Sequence, residues 1–220
     1  EMLEENFSLK TAAGYGLVPH LYNLRQNLVP DGAVKVCTIM DYVGMRLTGR
    51  KTPLVHSSNA AGLGLYDVEK GGFFEEIFKK AGGDVEILPE VTENFTCIGT
   101  YRGIPVSVAI GDNQASFLGS VEGASDSILV NVGTGSQISV LSEEYFTAKG
   151  VEARPFAGKY YLLVGSSLCG GRAYAALEHF FRMYAEALGV ENADHYNVME
   201  KLVDRVDKKE KTEKLKVNTT

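Results

Sequence analysis

The chain has 220 residues, of which 45% are apolar, 23% charged and 10% aromatic, and its formal net charge is −6. That length suits one large domain or two small ones, and such a chain can bury roughly 70% of its unfolded surface without disulfides or a structural metal. The acidic balance argues against a nucleic-acid or anionic-membrane partner, and no apolar stretch is long enough to span a bilayer, so the reading is a cytoplasmic protein.

Leu17, Leu21, Leu24 and Leu28 fall on one face of a helix predicted over 9–28, stopped by Pro30-Asp31-Gly32. A second amphipathic helix is predicted over 36–47 and closed by Thr48-Gly49. The run 57–65 is small and polar, with a buried-looking Asn59. A third helix is expected over 73–81, with Gly82 at its C-terminal end. Two strands follow, 97–101 and 104–110, joined at Arg102-Gly103, and then a short helix over 113–119. Glu122-Gly123-Ala124-Ser125 is small and flexible and marks a domain boundary, giving units 1–121 and 122–220. Residues 127–132 and 137–141 read as a hairpin in which Ile128, Val130 and Val132 share one half-buried face. Another strand is expected over 160–164. Gly170-Gly171 opens a long helix whose stripe is Tyr174, Leu177, Phe181, Tyr184 and Leu188. Residues 208–216 are a mixed-charge run, read as a solvated end. Cys37, Cys97 and Cys169 are odd in number and lie far apart in apolar runs, as free buried thiols of a reducing compartment would. Hairpins separated by helices give an α/β class with a mixed sheet.

Two segments carry the chemistry. The apolar run 106–110 ends in Gly111-Asp112 and turns into a helix, which puts a carboxylate at a strand end. Asp112 can be a helix N-cap, a base that accepts a hydroxyl proton, or both, since ligands of α/β sheets bind at that edge. The second segment is strand–Gly133-Thr134-Gly135–strand. It is either a plain hairpin turn or an anion cradle of backbone N–H groups with a Thr hydroxyl. A dinucleotide fingerprint is set aside, because Ile138 stands where a third glycine belongs and a strand follows instead of a helix. Gly170 and Gly171 are either backbone punctuation or a helix N-terminus facing phosphates. Asn59 is either a turn-forming residue or an amide that binds a polyol. His20, His56, His179 and His195 show no metal-ligand spacing, so no metal site is assigned. A base beside a hydroxyl and a cradle for phosphate oxygens together suit phosphoryl transfer.

Gly111-Asp112-Asn113-Gln114, the Gly133-Thr134-Gly135-Ser136 turn and the run Asp41-Tyr42-Val43-Gly44-Met45-Arg46-Leu47-Thr48-Gly49 resemble the FGGY carbohydrate kinases in type and order. Leu88-Pro89-Glu90-Val91 and Gly103-Ile104-Pro105-Val106 fit as well. Ser58-Asn59-Ala60-Ala61-Gly62 and the run from Ser166 to Gly171 are most similar to the sedoheptulokinase branch. The resemblance implies an actin-like (ribonuclease H-like) ATPase fold, present in part, with two domains flanking a cleft. It implies ATP-dependent phosphorylation of a ketose or polyol hydroxyl. Asp112 would be the base and Asn113 would touch the sugar. Gly133, Thr134 and Gly135 would hold ATP phosphates, and Gly170 and Gly171 match the nucleotide-side helix start. The Asp-x-Gly-Thr-type phosphate loop and the Gly-rich adenosine segment of the family do not occur in the sequence, which begins at Glu1. The expectation is therefore a middle piece, inactive alone, with the Mg2+ anchor outside it. The expected partner is a small sugar, with room for a homo-oligomer. Alternatives on the same fold are an actin- or chaperone-like ATPase and a non-catalytic sugar sensor.

Overall fold

A computed structural model of the chain describes residues 11–167 and 170–206. The expected helix start at residue 9, Cys169 and the 208–216 run lie outside the described residues. Among the described residues no helix is long and apolar enough to cross a membrane.

Helix α1 (Leu17–Arg25) is shorter than the leucine pattern suggests, and Leu28 is exposed beyond its end. Helix α2 (Ile39–Thr48) starts three residues later than expected because Thr38 caps it. The Thr38 Oγ1 accepts the Asp41 N–H at 3.3 Å while Asp41 Oδ2 accepts the Thr38 N–H at 3.1 Å, a reciprocal capping box. Gly49 ends the helix in the left-handed region at φ +73, where a side chain is strained. Strand β1 (Leu54–His56) runs straight into helix α3 (Ser57–Leu63), so the small polar run is helical. Strands β2 (Tyr66–Asp67) and β3 (Gly72–Phe73) pair antiparallel. The third expected helix is trimmed to α4 (Glu75–Lys80), because Phe73 is taken by β3. Strand β4 (Glu90–Thr92) pairs parallel with β1, Val55 opposite Val91.

Strands β5 (Cys97–Tyr101) and β6 (Ile104–Ser107) form a hairpin with an irregularity between Cys97 and Gly99. Strand β6 stops at Ser107, three residues before the apolar run ends. Helix α5 follows (Asp112–Ser120), then β7 (Ile128–Val132), β8 (Ser136–Ser142), β9 (Val151–Pro155) and β10 (Tyr161–Ser167). These four strands are ordered β7-β8-β10-β9 in one sheet, and the expected hairpin is present as β7–β8. The sequence pattern missed β9, a five-residue strand ending in proline. Helices α6 (Gly171–Ala187) and α7 (His195–Val206) complete the described chain.

The chain divides into two compact units. The first comprises the described residues up to Leu129 with Ser139–Val164; the second comprises Val130–Ile138 with those from Gly165 onward. In the first unit α1, α3 and α4 close over a core of Leu17, Leu21, Leu63, Leu65, Phe78 and Leu88. A second core joins α5 to the strands through Phe117, Phe156, Leu162 and Val164. Phe117 meets Phe156 edge to face with ring centroids 5.9 Å apart. Burying a Phe of this kind contributes about 1.5–3 kcal/mol, which fixes the α5 axis behind its first turn. In the second unit Tyr174 of α6 packs on Tyr196 of α7 at 5.6 Å. The rest of the α6 stripe, and Ile128, Val130 and Val132 on β7, are exposed. The period of both faces agrees with the sequence reading, but the expected half-burial of the β7 face is not found.

Candidate active site

Helix α5 does not begin as the sequence suggested. Its N-cap is Gly111, with extended backbone at φ −58 and ψ 147, and Asp112 occupies the first helical position. The Asp112 side chain therefore does not cap the helix. Its carboxylate is exposed and sits where the N–H groups of the first turn favour negative charge.

The segment before it explains the early end of β6. Val108 N–H donates to Thr96 O at 2.8 Å as the last hairpin bond. The next backbone groups are satisfied by side chains of α3 instead of a neighbouring strand. The Asn59 amide donates to Ala109 O at 3.1 Å, and Ser58 Oγ accepts the Gly111 N–H at 2.9 Å. Gln114, buried one turn into α5, donates from Nε2 to Pro155 O at 2.7 Å. A Cβ on Gly111 would lie 2.5 Å from Gln114 Oε1 and 3.5 Å from Ser58 Cβ, so a side chain at this cap would displace the buried Gln114 amide.

Asn59 is 4% exposed, and its amide nitrogen also donates to Asp41 Oδ1 at 3.2 Å. Both of its protons are thus engaged by the protein, leaving the carbonyl oxygen as the part of the amide outside these bonds. Asp41 is 3% exposed and gathers the Thr38 N–H, the Thr38 hydroxyl at 2.6 Å and the Asn59 amide. Burial still pushes its carboxyl above the usual range, against the opposing pull of those bonds. His56 caps α3, with Nδ1 accepting the Ser58 N–H at 3.2 Å and lying 2.8 Å from Ser58 Oγ. Asn113 is half-buried, and its Oδ1 is buried without a hydrogen-bond partner. Sequence reasoning did not single out Ser58, His56, Gln114 or Asp41 as site residues. The one available signal was the adjacency of Ser58 and Asn59 in a small polar run after an apolar one.

The glycine turn lies in the second unit together with the glycine pair. Gly133 N–H donates to Gly135 O at 2.8 Å and closes the bend. Gly170 N–H donates to Thr134 O at 3.0 Å and Gly171 N–H to Gly133 O at 2.8 Å. The start of α6 is thus stitched to the turn, and those amides are spent on it. A Cβ on Gly170 would strike Ser136 Oγ and lie 2.9 Å from both Gly133 O and Gly135 C. Neither Gly133 nor Gly135 adopts the left-handed backbone. Among the described residues no hydrogen bond is made by the Thr134 and Gly135 N–H groups or by the Thr134 hydroxyl. These are three donors at an exposed bend, which fits a phosphate anion.

No protein-family model matches the chain. It is 29% identical over 169 residues to a sedoheptulokinase of Mus musculus, which covers 70% of this chain and 35% of that protein. It is 28% identical over 175 residues to a glycerol kinase of Streptococcus uberis, covering 72% of this chain and 34% of that one. In structure it resembles a xylulose kinase from Bifidobacterium adolescentis with a TM-score of 0.63 at 17% identity, over 86% of this chain and 43% of that one. The chain is similar to carbohydrate kinases in sequence and in structure. Its fold is the actin-like ATPase fold of those kinases, over the part that it covers. The chain spans about 35% of the length of the sedoheptulokinase it matches.

Proposed function

We propose that the protein transfers a phosphoryl group from ATP to a hydroxyl of a ketose or polyol, with a sedoheptulose-like sugar as the acceptor. The observation that carries the reading is at the start of α5. An exposed carboxylate, Asp112, stands beside Asn113, whose Oδ1 is buried and lacks a partner. A buried acceptor without a donor is costly, and a sugar hydroxyl is a donor that would satisfy it. Asp112 then accepts the proton of the hydroxyl to be phosphorylated. The freed oxygen bonds to the γ-phosphorus as the bridging P–O bond breaks and ADP leaves.

Thr134 and Gly135 supply the donors for phosphate oxygens. Gly170 and Gly171 support them by holding the turn in shape, not by offering their own amides. Asn59 acts in this reading by fixing the Ala109 carbonyl ahead of Asp112, with its Oδ1 left for the sugar. Mg2+ would neutralise charge on the phosphates. Among the described residues no group of three or more His, Cys, Asp and Glu side chains is placed to hold it, and no step is assigned to the metal. Asp112 and Asn113 serve the domain proposed at 1–121, and the glycines serve the one proposed at 122–220.

The test is a ligand screen on the protein at its full expressed length. Thermal unfolding is followed with sedoheptulose, xylulose and glycerol, each with and without a non-hydrolysable ATP analogue. A ligand at 100 times its dissociation constant should stabilise by about 2.7 kcal/mol. ADP release that rises with one of these acceptors supports the kinase. ADP release indifferent to all three points to an ATPase, and sugar binding without ADP release points to a sensor.

A further inference from the structure

We propose that Ser58 is a positioning residue for Asp112, acting through the Gly111 peptide and itself oriented by His56. The inference rests on the reading of Asp112 as the base. It starts from the hydrogen-bond directions. His56 Nδ1 accepts the Ser58 N–H at 3.2 Å, so that nitrogen carries no proton and the ring proton is on Nε2. The Ser58 hydroxyl, 2.8 Å from the same Nδ1, therefore donates its proton to the imidazole. That turns an oxygen lone pair toward Gly111, whose N–H it accepts at 2.9 Å across 53 residues of sequence. The relay has one sense only: imidazole, hydroxyl, then the Ile110–Gly111 peptide that leads into Asp112.

The target of the relay is the least restrained residue type in a protein. Gly111 has no side chain to pack, and no side chain caps α5. The N–H that Ser58 holds belongs to the Ile110–Gly111 peptide, which fixes the Gly111 Cα from which α5 and Asp112 start. Without the Ser58 hydroxyl, the Gly111 N–H at the helix start loses its partner and the peptide can rotate. The cost of the arrangement is visible at the other end of the relay. His56 is fully buried, and its Nε2 has no hydrogen-bond partner of good geometry. The Glu93 carbonyl is close enough to favour the protonated ring against the larger effect of burial, and it also accepts the Gly158 N–H at 2.7 Å. Phe95 lies against the His56 ring at 5.4 Å, so an apolar ring would suit the surroundings of Nε2 better than an imidazole. The work done at Nδ1 accounts for a histidine in that place.

Four proteins of full expressed length decide the matter: Ser58→Ala, Ser58→Thr, Asp112→Asn and the double variant Ser58→Ala with Asp112→Asn. Steady-state turnover is measured with Mg-ATP and with sedoheptulose, xylulose or glycerol as acceptor. Ser58→Ala should lower kcat by roughly 100-fold, as a misplaced catalytic group does, with the sugar KM changed by less than about threefold. Ser58→Thr keeps the hydroxyl and should restore most of the rate. In the Asp112→Asn background Ser58→Ala should cost nothing further, because a residue that acts only through Asp112 has nothing left to position. Should Ser58→Ala fail to fold, Ser58→Cys, of similar size and a weak acceptor, should show the same loss. The inference is overturned if Ser58→Ala turns over within about threefold of wild type while Asp112→Asn is crippled, or if the two losses multiply in the double variant. Normal turnover by Asp112→Asn, or no turnover of any acceptor by the wild type, defeats the functional reading instead and takes the inference with it.

Discussion

The Asn59 side-chain amide donates to Asp41 Oδ1 at 3.2 Å, joining α3 to the capping box of α2 across 18 residues of sequence. The same nitrogen donates to Ala109 O at 3.1 Å. One buried amide therefore ties two helix starts to the segment that leads into Asp112. Asn59→Ala should remove both bonds and leave the Asp41 carboxylate short of a donor, at a cost of about 1–3 kcal/mol. Asn59→Asp should be worse at neutral pH, because it sets a second carboxylate against Asp41, and should recover in part on acidification. Thermal unfolding of both variants at two pH values checks the order. Equal midpoints for the two variants at neutral pH would contradict it.

Local patterns carried the sequence reading as far as local physics reaches. The helix after Asp112, the Gly133–Gly135 bend and the apolar stripe of α6 follow from periodicity and glycine placement within a few residues. What was not legible depends on distant partners. The N-cap of α5 is Gly111 and not Asp112, because its N–H is taken by Ser58 from another helix. Strand β6 ends at Ser107 for a similar reason, with Ala109 bonded to Asn59. The buried character of Asn59 was readable, but the engagement of both its protons was not. In β7, alternation located an apolar face, while nothing in it says whether that face is covered.

Acid stability should reflect two histidines, His56 and His20, opposed by one carboxyl, Asp41. Burial holds His56 below its ordinary range near 6.5, and His20 likewise. The unfolded chain takes up these protons first, so stability should be level above that range and fall as pH drops from about 6.5 toward the lowered folded values. Asp41 is raised by burial above its ordinary 3.8, so the folded chain binds its proton first. Stability should gain from this as pH falls through the raised folded value toward 3.8. His56→Gln should weaken the loss below pH 6.5, and Asp41→Asn should remove the opposing gain. A thermal midpoint for His56→Gln that tracks wild type from pH 7 to pH 5 would contradict the assignment.

Gly170→Ala should damage the nucleotide side alone. The added Cβ would press on the Gly133 and Gly135 backbone at 2.9 Å, where no flexible side-chain end can yield. Overpacking of this kind costs about 1–3 kcal/mol, which corresponds to roughly a 5- to 150-fold weaker ATP affinity if the turn absorbs the strain. Sugar affinity should stay within a few-fold of wild type. Isothermal titration with an ATP analogue and, separately, with the sugar distinguishes the two. A variant that loses both equally has unfolded or was misassigned.

The central claim is that Asp112 removes the proton from the sugar hydroxyl, and single-turnover kinetics of Asp112→Asn tests it most directly. The amide keeps the size of the side chain, and Gly111, not Asp112, caps α5, so the fold should persist. Loss of a positioned general base typically costs roughly 10²–10⁴-fold, so the phosphoryl-transfer rate should fall by that factor. The sugar dissociation constant, measured by calorimetry on the same preparation, should change by no more than a few-fold. A transfer rate equal to wild type, with the sugar bound normally, would contradict the account.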